Sequence, residues 1–295
     1  MEHIVRSLQA MVLIVAAACC YALSTGLTLA AFATLTLTSA GSSSDLAQAA
    51  GWLTFVAALL VLAAACGAGW GQLLEGNTAS AAELGVAAAA TLLITIGTLV
   101  GATSDGSSSA TDVLEAVGIG VWAALVLVRA GRLSLAEQAA GARSRQVSLW
   151  VAAAGGLFMF AIGSGFTTDI TDKGTGIAAG LLQATGIAAL CGAVAVARAS
   201  GFFPASPARV TISGLAIVAA GYLAAAIVAA VVFGIGDFTL TRVRVGMSVI
   251  AAIQFLGIAV LGWAAWERVR GLAPQASPSA TITRAVLDAR RTGSF

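Results

Sequence analysis

The sequence predicts an all-α integral membrane protein with eight transmembrane helices, arranged as four tandem helical hairpins. High hydropathy, eight long apolar runs and an internal repeat carry this prediction. Hydrophobic residues make up 59% of the 295 residues and charged residues 9%, and the mean hydropathy is +0.97. In a soluble domain about a quarter of the residues are charged, so a separate soluble domain is not expected.

Each apolar run is long enough to cross a bilayer, because a helix needs about 20 residues to span a ~30 Å hydrocarbon core. The predicted spans are 11–38, 49–73, 80–101, 112–130, 148–166, 176–197, 210–235 and 245–266. They form a bundle over residues 1–267, with hairpins at 9–74, 79–132, 147–200 and 209–267. Residues 268–295 are expected to form a basic cytoplasmic tail, either disordered or a surface helix.

The first apolar run has an alternative interpretation as a signal peptide, since Arg6 precedes it and Cys19 follows three alanines. The hydrophobic region of a signal peptide has about 7–15 residues, whereas this run covers residues 11–38. As one helix it would be roughly 42 Å long. We therefore expect a transmembrane span that tilts, or that bends at Gly26.

A short motif recurs in the even-numbered spans: a Gln or Glu followed three residues later by Gly. The four pairs are Gln48 and Gly51, Glu115 and Gly118, Gln183 and Gly186, and Gln254 and Gly257. Successive acids or amides are 67, 68 and 71 residues apart. A fixed period of this kind indicates copies of one structural unit, here pseudo-repeats of about 70 residues.

The connectors support the pairing of the spans into hairpins. The first two hairpins share Gly-Ser-Ser-Ser, at 41–44 and 106–109, and an Asp three residues before the motif. We expect polar loops at these two places, because Gly and Ser favour turns. Between the two halves of the chain, residues 130–146 are expected to form a short surface helix.

Positive charge predicts the orientation, because Lys and Arg are retained on the cytoplasmic side. With both termini inside, 12 of the 15 basic residues fall in cytoplasmic segments, and Lys173, Arg242 and Arg244 lie outside. The chain also has a single Lys against many Arg, a composition that we associate with a GC-rich bacterial genome. The expected location is the bacterial cytoplasmic membrane, as a multi-pass protein with cytoplasmic N- and C-termini.

Two interpretations of the recurring motif remain open. Residues three apart share one face of a helix, and a polar group beside a small residue is a common helix-packing device in lipid. Alternatively, Gln48, Glu115, Gln183 and Gln254 surround an outward-facing polar cavity. Glu115 would then be the only acid of the cavity, and an ionisable group within a membrane is a functional candidate.

The sequence offers little for catalysis. The spans contain no paired carboxylates, Ser164 has no His or Lys nearby, His3 is the only histidine, and the four cysteines lie in apolar runs. Acid–base and nucleophilic catalysis need positioned pairs of groups, so we predict no enzyme, catalytic residue, metal or cofactor. The small net charge of +2 gives no sign of nucleic-acid binding.

The expected function is that of a small-solute or ion permease in the plasma membrane, since repeated hairpins are a common way to build a translocation path. The alternative is a non-catalytic scaffold or a subunit of a membrane complex. The expected partners are the lipid bilayer and either another membrane protein or a second copy of the chain.

Overall fold

The fold consists of long apolar helices, as hydropathy predicts. The computed structural model describes residues 2–34, 40–74, 81–103, 109–139, 145–166, 173–199, 205–232 and 240–276, all of them helical. The helices are α1 (Glu2–Thr34), α2 (Ala40–Leu74), α3 (Ala81–Thr103), α4 (Ser109–Ala139), α5 (Arg145–Phe166), α6 (Lys173–Ala199), α7 (Ala205–Val232) and α8 (Leu240–Ala276). Each of these eight contains a segment long and apolar enough to cross a membrane. The prediction of a polytopic helical membrane protein is confirmed at this level.

Several helix ends differ from the expected boundaries. The serines at 42–44 were expected in a loop, but they lie in the first turns of α2, and α4 begins at Ser109. Ser and Asp favour helix N-termini because their side chains can accept hydrogen bonds from the free N–H groups there. The same residue types therefore suit a helix start as well as a turn.

The C-terminal helix is longer than expected. α8 continues to Ala276, past Glu267, where the tail was expected to begin. Pro274 lies within its last turn, where the missing N–H removes one backbone hydrogen bond shortly before the helix ends. At 37 residues, α8 measures about 55 Å, so its final turns extend beyond a ~30 Å hydrocarbon core. The remainder of the expected tail, 277–295, lies outside the described residues.

The expected connector between the halves of the chain is partly helical. Residues 130–139 continue α4, and α5 begins at Arg145. Residues 140–144 lie outside the described residues. The first part of the predicted surface helix is therefore an extension of a membrane-spanning helix.

The helices form a closed ring. Each described helix packs against its neighbours in the chain, and α1 also packs against α8. No other pair of described helices brings Cα atoms within 8 Å of each other. Neighbours that are about 8–10 Å apart, arranged in a circle of eight, would leave an interior roughly 14 Å wide between the helix surfaces. Side chains from non-neighbouring helices can meet only in this interior.

Neighbouring helices run antiparallel. A Cβ atom on Gly97 would lie 3.1 Å from the Thr111 carbonyl oxygen, and one on Gly118 would lie 2.7 Å from the Ala90 carbonyl oxygen. As the position along α4 rises, the contacting position on α3 falls, so the two helices point in opposite directions. α1 and α8 show the same relation, because Gly26 lies by Phe255 and Gly262 by Ala18. The start of α1 and the end of α8 consequently lie at the same end of the ring.

Small side chains line the contacts between helices. The buried residues of α1 recur every seven positions, at Ala10, Ala17, Ser24 and Ala31, and those of α2 at Ala50, Ala57 and Ala64. Seven-residue spacing keeps a contact on one face of a helix, and small residues let helix backbones approach closely in lipid. No large side chain among the described residues is fully buried. The ring is therefore held together by close backbone packing.

Candidate functional site

The recurring polar residues contact glycines on the preceding helix in three of the four even-numbered helices. A Cβ atom on the contacted glycine would lie 2.7–3.0 Å from the Cγ atom of the Gln or Glu, for the pairs Gly97 with Glu115, Gly163 with Gln183, and Gly221 with Gln254. These positions leave no room for a side chain on the odd-numbered helix. The stem of each Gln or Glu therefore lies directly over a backbone.

The motif glycines make a second close contact with the same neighbouring helix. A Cβ atom on the glycine would lie 2.6–3.2 Å from a carbonyl oxygen, for Gly118 with Ala90, Gly186 with Gly156, and Gly257 with Gly214. On each odd-numbered helix, this carbonyl lies seven residues before the glycine that the Gln or Glu stem contacts. The same two-point contact thus recurs in three helix pairs.

The first hairpin makes a related contact with other residues. Ser24 Oγ donates a hydrogen bond to the Ala50 carbonyl oxygen at 2.8 Å and lies 2.7 Å from Thr54 Oγ1. Between α3 and α4, Gly97 likewise lies against the Thr111 carbonyl oxygen and against the side chain of Glu115, four residues after Thr111. By this correspondence, Thr54 takes the position that Glu115 has in α4.

Gln48 and Gly51 do not share this arrangement. The Gln48 side chain is exposed, and a Cβ atom on Gly51 would lie 3.2 Å from the Ala102 Cα atom of α3 rather than against α1. Gln48 therefore lies six residues before Thr54, which is the position in α2 that corresponds to Glu115. Sequence reasoning missed Thr54 because a Thr and the following Ala57 replace the polar residue and the glycine. The buried alanines spaced by seven residues were the signal that could have identified it.

Gln183 is satisfied by its neighbouring helix. Its Nε2 atom donates a hydrogen bond to Ser164 Oγ of α5 at 3.3 Å, and both residues are only 8% exposed. The amide therefore links α5 and α6 rather than facing open space. A hydrogen bond of this kind between neighbouring helices is what the helix-packing interpretation of the motif predicts.

This contact gives a first prediction. In a double-mutant cycle with Gln183→Leu and Ser164→Ala, we expect a coupling free energy of about 0.6–2 kcal/mol in the thermal unfolding of the detergent-solubilised protein. Gln254→Leu, which removes the corresponding amide in α8, combined with Ser164→Ala serves as the control cycle and should show additive effects. A coupling near zero for the first cycle would mean that the Gln183–Ser164 hydrogen bond does not stabilise the ring.

Glu115 interacts with groups on the other side of the ring. Electrostatic interactions link Tyr21 with Glu115, Tyr222 with Tyr21, and Tyr222 with Glu115. These residues lie on α1, α4 and α7, and no two of these helices are neighbours in the ring. The three side chains therefore face the same interior space.

One aromatic contact completes this interior cluster, which we define as Tyr21, Glu115, Phe160 and Tyr222. The rings of Phe160 and Tyr222 meet edge to face, with centroids 5.4 Å apart and an interplanar angle of 82°. Their helices, α5 and α7, are separated by α6, so this contact also crosses the interior. Tyr21 is 41% exposed although it interacts with both Glu115 and Tyr222, so free space remains beside its ring.

The Glu115 carboxyl group has no hydrogen bond or ion pair with any described residue. Its oxygens are also not among the described side-chain atoms that are shielded from solvent and lack a hydrogen-bond partner. Its nearest charged neighbour in the chain is Asp112, with which it interacts electrostatically. Glu115 lies six residues after the start of α4, about 9 Å along the helix axis. Glu115 is thus half-buried, and Tyr21 is the exposed aromatic ring of the cluster.

Aromatic and basic side chains mark the opposite end of the ring. The Arg129 guanidinium lies 5.7 Å from the ring centre of Trp150, near the end of α4 and the start of α5. Arg270 near the end of α8 lies 5.8 Å from Trp263 and 5.4 Å from Trp266. Trp at helix ends is typical of the membrane–water interface.

Metal ligands do not gather elsewhere in the described ranges, where no group of three or more His, Cys, Asp and Glu side chains could hold an ion. The four cysteines are free. Comparison with protein-family models, with curated proteins and with solved structures finds no match.

Proposed function

We propose that the protein is a small-solute permease whose substrate binds in the interior of the helix ring. The observation that carries this proposal is the electrostatic interaction of Tyr21, Glu115 and Tyr222, which belong to three helices that are not neighbours. A scaffold needs no polar group in its interior, and an ionisable side chain within the membrane is costly without a function. The exposed surface of Tyr21 supports the presence of space for a solute.

The recurring helix contacts support the repeat that underlies this proposal. We take the chain to consist of four hairpin units, in which Thr54, Glu115, Gln183 and Gln254 hold corresponding positions. Only the second unit carries an ionisable group there. Of the four corresponding positions in a nearly symmetric ring, only that of Glu115 would carry a charge. Glu115 would therefore be the group that binds a cation or exchanges a proton during transport.

The membrane location and orientation belong to the same proposal. The Arg and Trp contacts of α4, α5 and α8 support a cytoplasmic position for that end of the ring, and this end also holds the start of α1. In a bacterial cytoplasmic membrane, the interior cluster would then lie nearer the outer surface. We expect no catalysis, because one carboxyl group and two phenols supply no nucleophile with an adjacent base.

The test is solute uptake into vesicles that contain the purified protein, with an imposed pH gradient or membrane potential. Glu115→Gln should reduce the uptake rate by about 100-fold or more if this carboxyl group binds the cation or proton that couples transport. The substitution keeps the size of the side chain, so packing against Gly97 should persist and thermal stability should change little. Glu83→Gln is the matched control, since Glu83 lies in the first turn of α3, and its uptake should equal that of the unmodified protein.

Two results would contradict the proposal. One is the same uptake rate in the Glu115→Gln variant as in the unmodified protein. The other is no uptake of any solute class together with stable co-purification of a second membrane protein, which would favour the scaffold function.

A further inference from the structure

We infer that the substrate is a small organic cation, bound with its ammonium group between the Glu115 carboxylate and the aromatic rings of Tyr21, Phe160 and Tyr222. The inference rests on the proposed function, because it assigns a substrate class to the same interior site. It follows from the charge of the cluster, from its aromatic surfaces and from the space that remains beside them.

The charge of the cluster selects a cation. The carboxylate of Glu115 has no hydrogen bond or ion pair with a described residue, and its electrostatic partners are two phenols and Asp112. A carboxyl group in a medium of low dielectric constant takes up a proton unless a cation compensates its negative charge. A bound cation would supply that compensation, whereas an anion would be repelled by the ionised Glu115.

The aromatic rings favour an organic cation over a metal ion. Ammonium groups bind over the faces of Tyr and Phe rings, and cages of such rings recognise quaternary ammonium ligands. Hard metal cations instead require six or more oxygen ligands at short distance. The cluster offers three rings, one carboxylate and two phenol oxygens, which suits the first kind of ligand.

The geometry leaves ring faces available. Phe160 and Tyr222 are nearly perpendicular, at 82°, so the ring that makes the contact with its edge does not have its faces covered by the other ring. Tyr21 adds a third ring that is 41% exposed. The three rings lie on α5, α7 and α1, and Glu115 lies on α4, so a ligand among them would be contacted from four sides of the ring.

The experiment uses isothermal titration calorimetry to measure equilibrium binding of five cations to the full-length protein in detergent: ammonium, methylammonium, tetramethylammonium, choline and tetraethylammonium. We expect saturable binding of at least one of the organic cations. 3,3-Dimethyl-1-butanol, the neutral isostere of choline, should compete at least about 10-fold more weakly than choline, because it lacks the charge that Glu115 and the rings recognise. An equal potency of the two compounds, or no saturable binding of any of the five cations, would overturn the inference.

Variants identify the site. Glu115→Gln should weaken the binding of the cation by about 10-fold or more, and Glu115→Asp should keep most of it because the charge is retained. Phe160→Leu should weaken binding several-fold, while Phe158→Leu should leave it unchanged. Phe158 is 57% exposed and lies about 200° around α5 from Phe160, so it faces away from the interior. Equal effects of the two Phe variants would place the bound cation elsewhere and contradict the inference.

Failure of the inference and failure of the proposed function give different results. Uptake of a neutral or anionic solute that depends on Glu115, without cation binding, would overturn the cation assignment and leave the permease function in place. Cation binding that depends on Glu115, without uptake of any solute, would overturn the permease function and leave the binding site.

Discussion

Gly186→Leu is expected to lower the free energy of unfolding by about 3 kcal/mol or more, enough to prevent recovery of a folded protein at moderate temperature. A Cβ atom at this position would lie 2.6 Å from the Gly156 carbonyl oxygen and 2.8 Å from the Phe160 nitrogen. Both are backbone atoms, so the added side chain could fit only if α5 and α6 moved apart. Thermal unfolding of the detergent-solubilised protein, followed by size-exclusion chromatography, measures the effect.

Gly192→Leu is the matched control for this prediction. Gly192 lies on the same helix, and nothing is found within 4 Å of its Cβ position. The control variant should unfold within about 1 kcal/mol of the unmodified protein, because Leu is the better helix former. Equal loss of stability in the two variants would show that close packing of α5 on α6 is not what makes Gly186 necessary.

A disulfide between α1 and α8 is the second large expected effect. The Cβ position of Gly262 lies 3.3 Å from the Ala18 Cβ atom, close to the 3.5–4.5 Å found in disulfides. We therefore expect Ala18→Cys and Gly262→Cys, combined in a chain whose four native cysteines are replaced, to cross-link on oxidation. Because the cross-link closes a long loop, it should raise the free energy of unfolding by about 2–4 kcal/mol.

The control pair is Ala18→Cys with Gly192→Cys, since α6 is not a neighbour of α1 in the ring. Cross-linking within one chain is measured by the change in mobility after cleavage at an engineered protease site between α4 and α5. Cross-linking of the control pair, or none in the first pair, would contradict closure of the ring by α1 and α8.

The sequence was sufficient to predict the helices but not their arrangement. Hydropathy depends only on local composition, so the eight apolar runs were predicted, although the helices extend up to ten residues beyond the predicted span ends. Helix ends are harder to predict because a residue such as Ser109 suits a turn as well as a helix start, and because Pro274 permits α8 to continue for two more residues. The contact between α1 and α8 that closes the ring arises only in the folded chain, so no local sequence pattern predicts it.

The interior cluster shows the same limit. Glu115 was predicted from its unusual charge within an apolar run, but Tyr21, Phe160 and Tyr222 were not, because an aromatic residue in a span is equally suited to lipid. Their common position follows only from the relation between α1, α5 and α7 in the ring. In three helix pairs the motif residues lie at close helix contacts, whereas α1 and α2 contact each other through Ser24 and Thr54, which bond to each other through their hydroxyl groups.

The most direct test of an interior site is the labelling of a cysteine at position 21 in the cysteine-free chain. We expect Tyr21→Cys to react with a charged, membrane-impermeant methanethiosulfonate reagent, because its side chain would line a space that water enters. Phe158→Cys, on the outward face of α5, should react with a lipid-soluble maleimide but not with the charged reagent. An unreactive Tyr21→Cys, or equal reactivity of the two positions towards the charged reagent, would contradict a solvent-accessible site inside the helix ring.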